Sequence, residues 1–157
     1  MTIYQDYKIK VYLNSRHYIY INGHQGQTHP HTWEFVLYMR FPRNSFIEFS
    51  TFEHIFNEFL DKYQNKVLNN IEPFTEIIPT LENITEEFTV AFCQICKDLN
   101  GSLLRIEASE TPTRCYIIEP DNNDTMQIYL KDFKEQLKEE LVSNKLDSII
   151  VNSKYNK

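Results

Sequence analysis

The sequence predicts an α+β fold: a four-stranded antiparallel sheet with two helices packed on one face, plus an additional C-terminal helix. Three observations carry that expectation. Residues 7–17 and 29–41 alternate apolar and polar side chains with period two, the mark of half-buried strands. Residues 52–63 and 84–99 repeat apolar residues every three or four positions, the mark of amphipathic helices. The order is ββα, then αββ, which suits antiparallel strands with helices segregated to one side.

Composition bounds the function. A chain of 157 residues is the size of one domain with a real core. Ten Tyr and eleven Phe fit β-structure, and only three glycines disfavour a dinucleotide fold built on a glycine-rich loop. A net charge of -6 without a basic stripe argues against nucleic acid as a partner. No apolar run approaches the roughly 18 residues of a membrane helix, so no membrane partner is expected. The first residues lack a signal-peptide layout. Cys93, Cys96 and Cys115 are an odd number in a chain too large to need staples, which points to reduced thiols and a cytoplasmic protein.

In the first strand Tyr7, Ile9, Val11 and Leu13 share a face, and Ser15 and His17 continue its parity, so His17 should point inward. Asn22 to Gln27 is a polar turn or loop holding two of the three glycines. The second strand carries His29, His31, Trp33, Phe35, Leu37, Met39 and Phe41 on one face. Paired antiparallel, the two strands place all three histidines on that face. Pro42 to Ser45 is a turn. Ser50 to Glu53 has capping-box spacing with Ser50 as N-cap, opening a helix to about Gln64. Thr80 reads as the N-cap of a second helix, whose buried face is Ile84, Phe88, Ala91, Phe92, Ile95 and Leu99. Asn100-Gly101 stops it. A third strand puts Leu104, Ile106, Ala108 and Glu110 on one face, and Cys115 to Ile118 is a short fourth. Leu130, Phe133, Leu137 and Leu141 mark the C-terminal helix, after which the last residues read as frayed.

Three neutral imidazoles with an open fourth position form a usual catalytic zinc shell, so His17, His29 and His31 are the candidate metal ligands. Glu110, a carboxylate ending an apolar face, is either an ion-pair partner or the acceptor for a guanidine-like ligand edge. The pair in Cys93-Gln94-Ile95-Cys96 lies inside a helix and reads as packing, and Cys115 likewise reads as core. His24 and His54 read as solvated histidines.

Four segments then resemble, in order, the 6-pyruvoyl-tetrahydropterin synthase family, including the 6-carboxytetrahydropterin synthases of queuosine synthesis. Leu13-Asn14-Ser15-Arg16-His17 is similar to F-x-A-A-H, and His29-Pro30-His31-Thr32-Trp33 to H-G-H-x-Y. Pro79-Thr80-Leu81-Glu82-Asn83 is similar to P-T-x-E-N. Glu110-Thr111-Pro112-Thr113, followed by Tyr116, is similar to E-T-x-T. The resemblance implies a T-fold over residues 1–120, with 121–157 as a helical extension. It implies homo-oligomers, trimers or hexamers, with sites at subunit interfaces. It implies zinc on His17, His29 and His31, and a pterin-like small molecule anchored by Glu110 with Thr80 and Glu82 lining its pocket.

The departures concern catalysis. Gln25 stands where the family has a catalytic Cys, and Gln64 and Asn65 stand where it has an Asp-His pair. An amide can replace neither a thiolate nor an imidazole in proton transfer. The expected function is therefore a zinc- and pterin-binding relative whose standard activity is in doubt, with no catalytic residue assigned. The alternatives are an active lyase on dihydroneopterin triphosphate with a substitute base such as His24, and another zinc-dependent reaction on a pterin-like or purine-like ring.

Overall fold

Strand β1 (Tyr4–His17) alternates exposed and buried side chains, with Ile9, Val11, Leu13, Ser15 and His17 turned inward. The computed structural model describes the backbone of residues 1–155 and the side chains of residues 1–144. The polar loop contains a small ribbon absent from the sequence reading, β2 (Tyr20–Ile21) against β3 (His24–Gln25). Its turn is Asn22-Gly23, with φ of 51° and 76°. Both values are left-handed, as the tightest hairpin turn demands, and Asn-Gly supplies them at least cost.

Strand β4 (His29–Pro42) pairs antiparallel with β1 along its whole length, from Tyr4 opposite Pro42 to His17 opposite His29. Helix α1 (Phe49–Asp61) starts ahead of the expected cap. Its N-cap is Glu48, without a side-chain cap bond, and Ser50 lies inside the first turn. Phe49 packs edge-on against Tyr7, ring centres 5.5 Å apart, and this long-range contact outweighs the local capping signal. The helix also ends earlier than Gln64. Asn65 takes a left-handed φ of 59° and gives its N–H to Asn14 O at 2.7 Å instead of to a helical carbonyl.

Helix α2 (Leu81–Asp98) begins where expected: Thr80 Oγ1 accepts the Asn83 N–H at 3.2 Å. Its buried face is Leu81, Ile84, Thr85, Phe88, Thr89, Phe92 and Cys96, with Ala91, Ile95 and Leu99 only half-buried beside it. Thr85 and Thr89 tolerate the core because each hydroxyl donates to the carbonyl four residues back, at 2.6 Å. Asn100, at φ 63°, turns the chain out of the helix. Gly101 is required by close approach, since a Cβ there would lie 2.2 Å from the Phe41 ring.

Strands β5 (Ser102–Thr111) and β6 (Arg114–Ile118) complete a sheet of order β1-β4-β5-β6. Leu104 does not sit on the buried face as expected. The β4–β5 register slips between Tyr38 and Met39, so Leu103 takes the buried position and Leu104 the bulge. A second irregularity lies between Ser109 and Thr111, around Glu110. One sheet face and helices α1 and α2 enclose the core, in which Phe35, Phe56, Phe88 and Phe92 form a ring-on-ring cluster.

Helix α3 (Asp124–Tyr155) packs onto this body through buried Met126 and half-buried Leu130, Phe133 and Leu137. Leu141 does not continue that stripe. It is 61% exposed, on a turn past the packed part of the helix. The backbone is helical to Tyr155, so of the end expected to fray only residues 156–157 lie outside the described backbone. Among the described residues no helix is long and apolar enough to cross a membrane.

Candidate metal centre and ligand pocket

The 14-residue pairing of β1 and β4 brings the histidines together. His17 lies directly opposite His29, and Ser15 opposite His31, so one sheet face presents three imidazoles at one end of the ladder. The rings stand edge to face, with centres 4.6 Å apart for His17 and His29, 5.1 Å for His17 and His31, and 4.8 Å for His29 and His31. One nitrogen from each lies within 4.8 Å of the others. Trp33, fully buried two residues on, forms an apolar floor against His17 and His31.

The end of β1 is held from the side. Ser15 Oγ lies 2.6 Å from Tyr63 O and 2.8 Å from Lys66 O, and the Arg16 N–H donates to Lys66 O at 2.9 Å. Asn69 brackets Tyr18, accepting its N–H at 3.0 Å and donating to its carbonyl at 2.9 Å. Gln64 does the same for β1 further back, accepting from the Asn14 N–H and donating to Tyr12 O. The Gln64 side chain thus holds the β1 backbone, to which Asn65 adds its backbone N–H on Asn14 O.

The hydrogen bonds fix the imidazoles. A carbonyl only accepts, so His17 Nδ1 must donate to Pro79 O at 2.6 Å, and His29 Nδ1 to Gln27 O at 2.8 Å. In the neutral rings each Nε2 then carries a lone pair, and these two atoms face each other at 3.0 Å. Two lone pairs at that separation repel unless a positive species lies between them. Burial pushes the His17 imidazolium below the ordinary histidine range, so a proton is disfavoured there. A divalent cation suits the donor set: carbonyls orient the rings from behind and nitrogen lone pairs converge in front. The histidine hydrogen bonds among the described residues belong to His17 and His29, so His31 is left to turn a nitrogen toward the same centre.

The histidines form one wall of a pocket of about 330 Å³. Thr80, Leu81 and Glu82 line it from the start of α2, Glu110 from the end of β5, Arg114, Cys115 and Tyr116 from β6, and Ile19 from the β1–β2 connection. All six residues singled out from sequence for metal or ligand therefore face one space. Tyr116 donates its hydroxyl to Glu86 at 3.0 Å, and burial with that carboxylate holds the phenol protonated.

Other residues stand elsewhere than expected. Cys115 is exposed on the pocket wall, not in the core: it pairs with Ser109 and stands three residues before buried Ile118, so strand alternation gives it the opposite parity. Arg114 escaped notice too, although a tight turn after Glu110 must return the next residues beside it. His24 and Gln25 are exposed on β3 and do not line the pocket. His54 is exposed on α1. Cys93 and Cys96 are packed in α2 as expected, and burial pushes both thiols up to about 12.

The family model described as 6-pyruvoyl tetrahydropterin synthase matches residues 6–121. No protein of curated function matches the chain in sequence. Among solved structures, the Caenorhabditis elegans 6-pyruvoyl tetrahydropterin synthase superposes with a TM-score of 0.63 at 13% identity, covering 75% of this chain and 96% of that one. The Plasmodium falciparum 6-pyruvoyl tetrahydropterin synthase gives 0.54 at 16% identity, covering 73% of this chain and 96% of that one. At these identities the likeness is one of fold, and that fold is the T-fold anticipated from the four motifs. With more than two thirds of its length inside the match, the chain belongs to the 6-pyruvoyl tetrahydropterin synthase family.

Proposed function

We propose that this chain holds a zinc ion on His17, His29 and His31 and binds a pterin or related heterocycle in the adjoining pocket, without the family's standard reaction. The observation that carries the reading is the single pocket joining the three histidines to Glu110, Thr80 and Glu82. When bound there, zinc supplies a Lewis acid beside the ligand. Glu110 offers two carboxylate oxygens to the paired N–H groups of an amino-pyrimidine edge. Thr80 Oγ1 already accepts from Asn83, so its own hydrogen is free for an acceptor on the ring. Glu82, in the first turn of α2, adds a second carboxylate at the rim.

The case against standard catalysis rests on Gln25, Gln64 and Asn65, none of which offers a base. Cys115 favours a second reading, an active lyase on dihydroneopterin triphosphate, because its exposed thiol lines the same pocket. The reading also includes a T-fold domain to residue 120 with a helical extension, a reduced cytoplasmic setting, and a homo-oligomer. Strands β1 and β6 are both edges of the sheet, and pairing between copies would cover them.

Purified protein should contain about one zinc per chain and quench the fluorescence of an added pterin saturably. Absence of metal from protein prepared without chelator refutes the metal assignment. Release of inorganic triphosphate from dihydroneopterin triphosphate, abolished by Cys115→Ala, establishes the lyase reading instead.

A further inference from the structure

Arg114 is the one Lys or Arg among the residues lining the pocket, and it stands beside two carboxylates without pairing with either. The ion pairs among the described residues are Lys10–Glu34, Arg40–Asp6 and those of Arg105 with Glu107 and Glu119. No side-chain hydrogen bond among them engages the Arg114 guanidinium either. The contrast with Arg105 is instructive. Arg105 lies on the same hairpin and spends its donors on Glu107 at 2.8–2.9 Å and Glu119 at 3.1 Å. Arg114 pairs through its backbone with Thr111 at the tip of that hairpin, and its five N–H donors have no partner among the described residues.

We infer that Arg114 is a specificity-determining residue, selecting ligands whose ring substituent carries an anionic group, a carboxylate or a phosphate. This rests on the pterin reading above and deepens it. A guanidinium presents a planar fork that matches both oxyanions bidentately, whereas a neutral hydroxyl substituent engages only one donor. The carboxylates of Glu82 and Glu110 make the discrimination sharper, since an anion entering a pocket lined by them is repelled unless a cation meets it. Arg114 is that cation from the protein itself. Its exposure also sets it at the mouth, where a charged substituent keeps part of its hydration.

The test uses zinc-loaded full-length protein and three probes: 6-hydroxymethylpterin, its phosphate ester, and 6-carboxypterin. The wild type should bind at least one anionic probe about tenfold or more tightly than the neutral one, and which of the two is preferred tells phosphate from carboxylate. In Arg114→Gln that ratio should collapse to within about threefold of unity. In Arg114→Glu it should invert. Both substitutions are at an exposed strand end, and an unchanged melting temperature verifies the fold. Neutral-probe binding without any anion preference in the wild type overturns the role of Arg114 while leaving the pterin reading standing. A preference that survives Arg114→Gln overturns it too, because the metal is then the selector. Failure of all three probes on zinc-loaded protein refutes the pterin reading, and the inference with it.

Discussion

His31→Ala separates the metal from the fold. His17 cannot serve this purpose, because its ring is 3% exposed and its Nδ1 satisfies the Pro79 carbonyl. Removing it leaves a buried acceptor unpaired, at about 1–3 kcal/mol regardless of any ion. His31 is half-buried and holds no hydrogen bond among the described residues, so its truncation should change metal-free stability by about 1 kcal/mol or less. Bound metal adds RT ln(1 + [L]/Kd), about 2.7 kcal/mol at a hundredfold excess over Kd. For a chain of this size each kcal/mol moves the melting temperature by about 2–4 °C, so saturating zinc should raise it by about 5–11 °C. Calorimetry of wild type and His31→Ala, each with chelator and with zinc, makes the comparison. The wild type should show the full shift and the variant most of it lost, with the two metal-free melts nearly superposed. An equal zinc shift in the variant refutes the three-histidine centre, and so does a wild type that zinc does not move.

Three further outcomes follow from the same geometry. His17 is held below its ordinary value of about 6.5 in the folded chain, so below that pH the unfolded state binds more protons. Metal-free stability should therefore fall as pH drops through about 6.5 and level off once the folded-state value is passed; urea midpoints at a series of pH values read this, and a slope unchanged in His17→Gln counts against it. Glu110→Gln should weaken pterin binding by about 2–5 kcal/mol in a fluorescence titration, with zinc content unaltered; unchanged affinity would make Glu110 structural only. A thiol reagent at neutral pH should label Cys115 rapidly and leave Cys93 and Cys96 until unfolding, because burial holds both near 12. Rapid labelling of more than one thiol would contradict that order.

The legible parts of the site are those governed by period alone. A strand side chain has two choices of face, and a long regular pairing cannot slip without turning Ile9, Val11, Leu13, Trp33, Phe35 and Leu37 out to water together. Parity in β1 and β4 was therefore enough to put His17 with His29 and His31 before any coordinates. Helix α2 was legible for a similar reason: the Thr80 cap is local chemistry, settled within four residues. The start of α1 was not, because its cap signal at Ser50 competes with Phe49 seeking Tyr7, a partner some forty positions away in sequence.

The misreadings on β5 and β6 have different physical origins. A bulge adds a residue to one strand and reverses the parity of everything beyond it, and nothing in the bulged strand's own sequence announces it. The slip opposite Tyr38 and Met39 exchanged Leu103 for Leu104 and did no more, since both are leucines on either side of a packed layer. Cys115 was misread for a simpler reason: three residues from buried Ile118, it has the outward parity on a regular ladder. The irregularity between Ser109 and Thr111 falls at Glu110, at the hairpin tip where Arg114 pairs with Thr111 and the chain turns back along the pocket. A regular ladder presents one face to the core and the other to solvent. At the sheet's end a carboxylate, a guanidinium and a thiol line one cavity, and the β5–β6 hairpin that carries them leaves regular pairing only at its tip. The ligand pocket is thus built where the ladder gives way to a turn, and a strand-end carboxylate followed by a turn with Pro112 inside it is the sequence signal to look for.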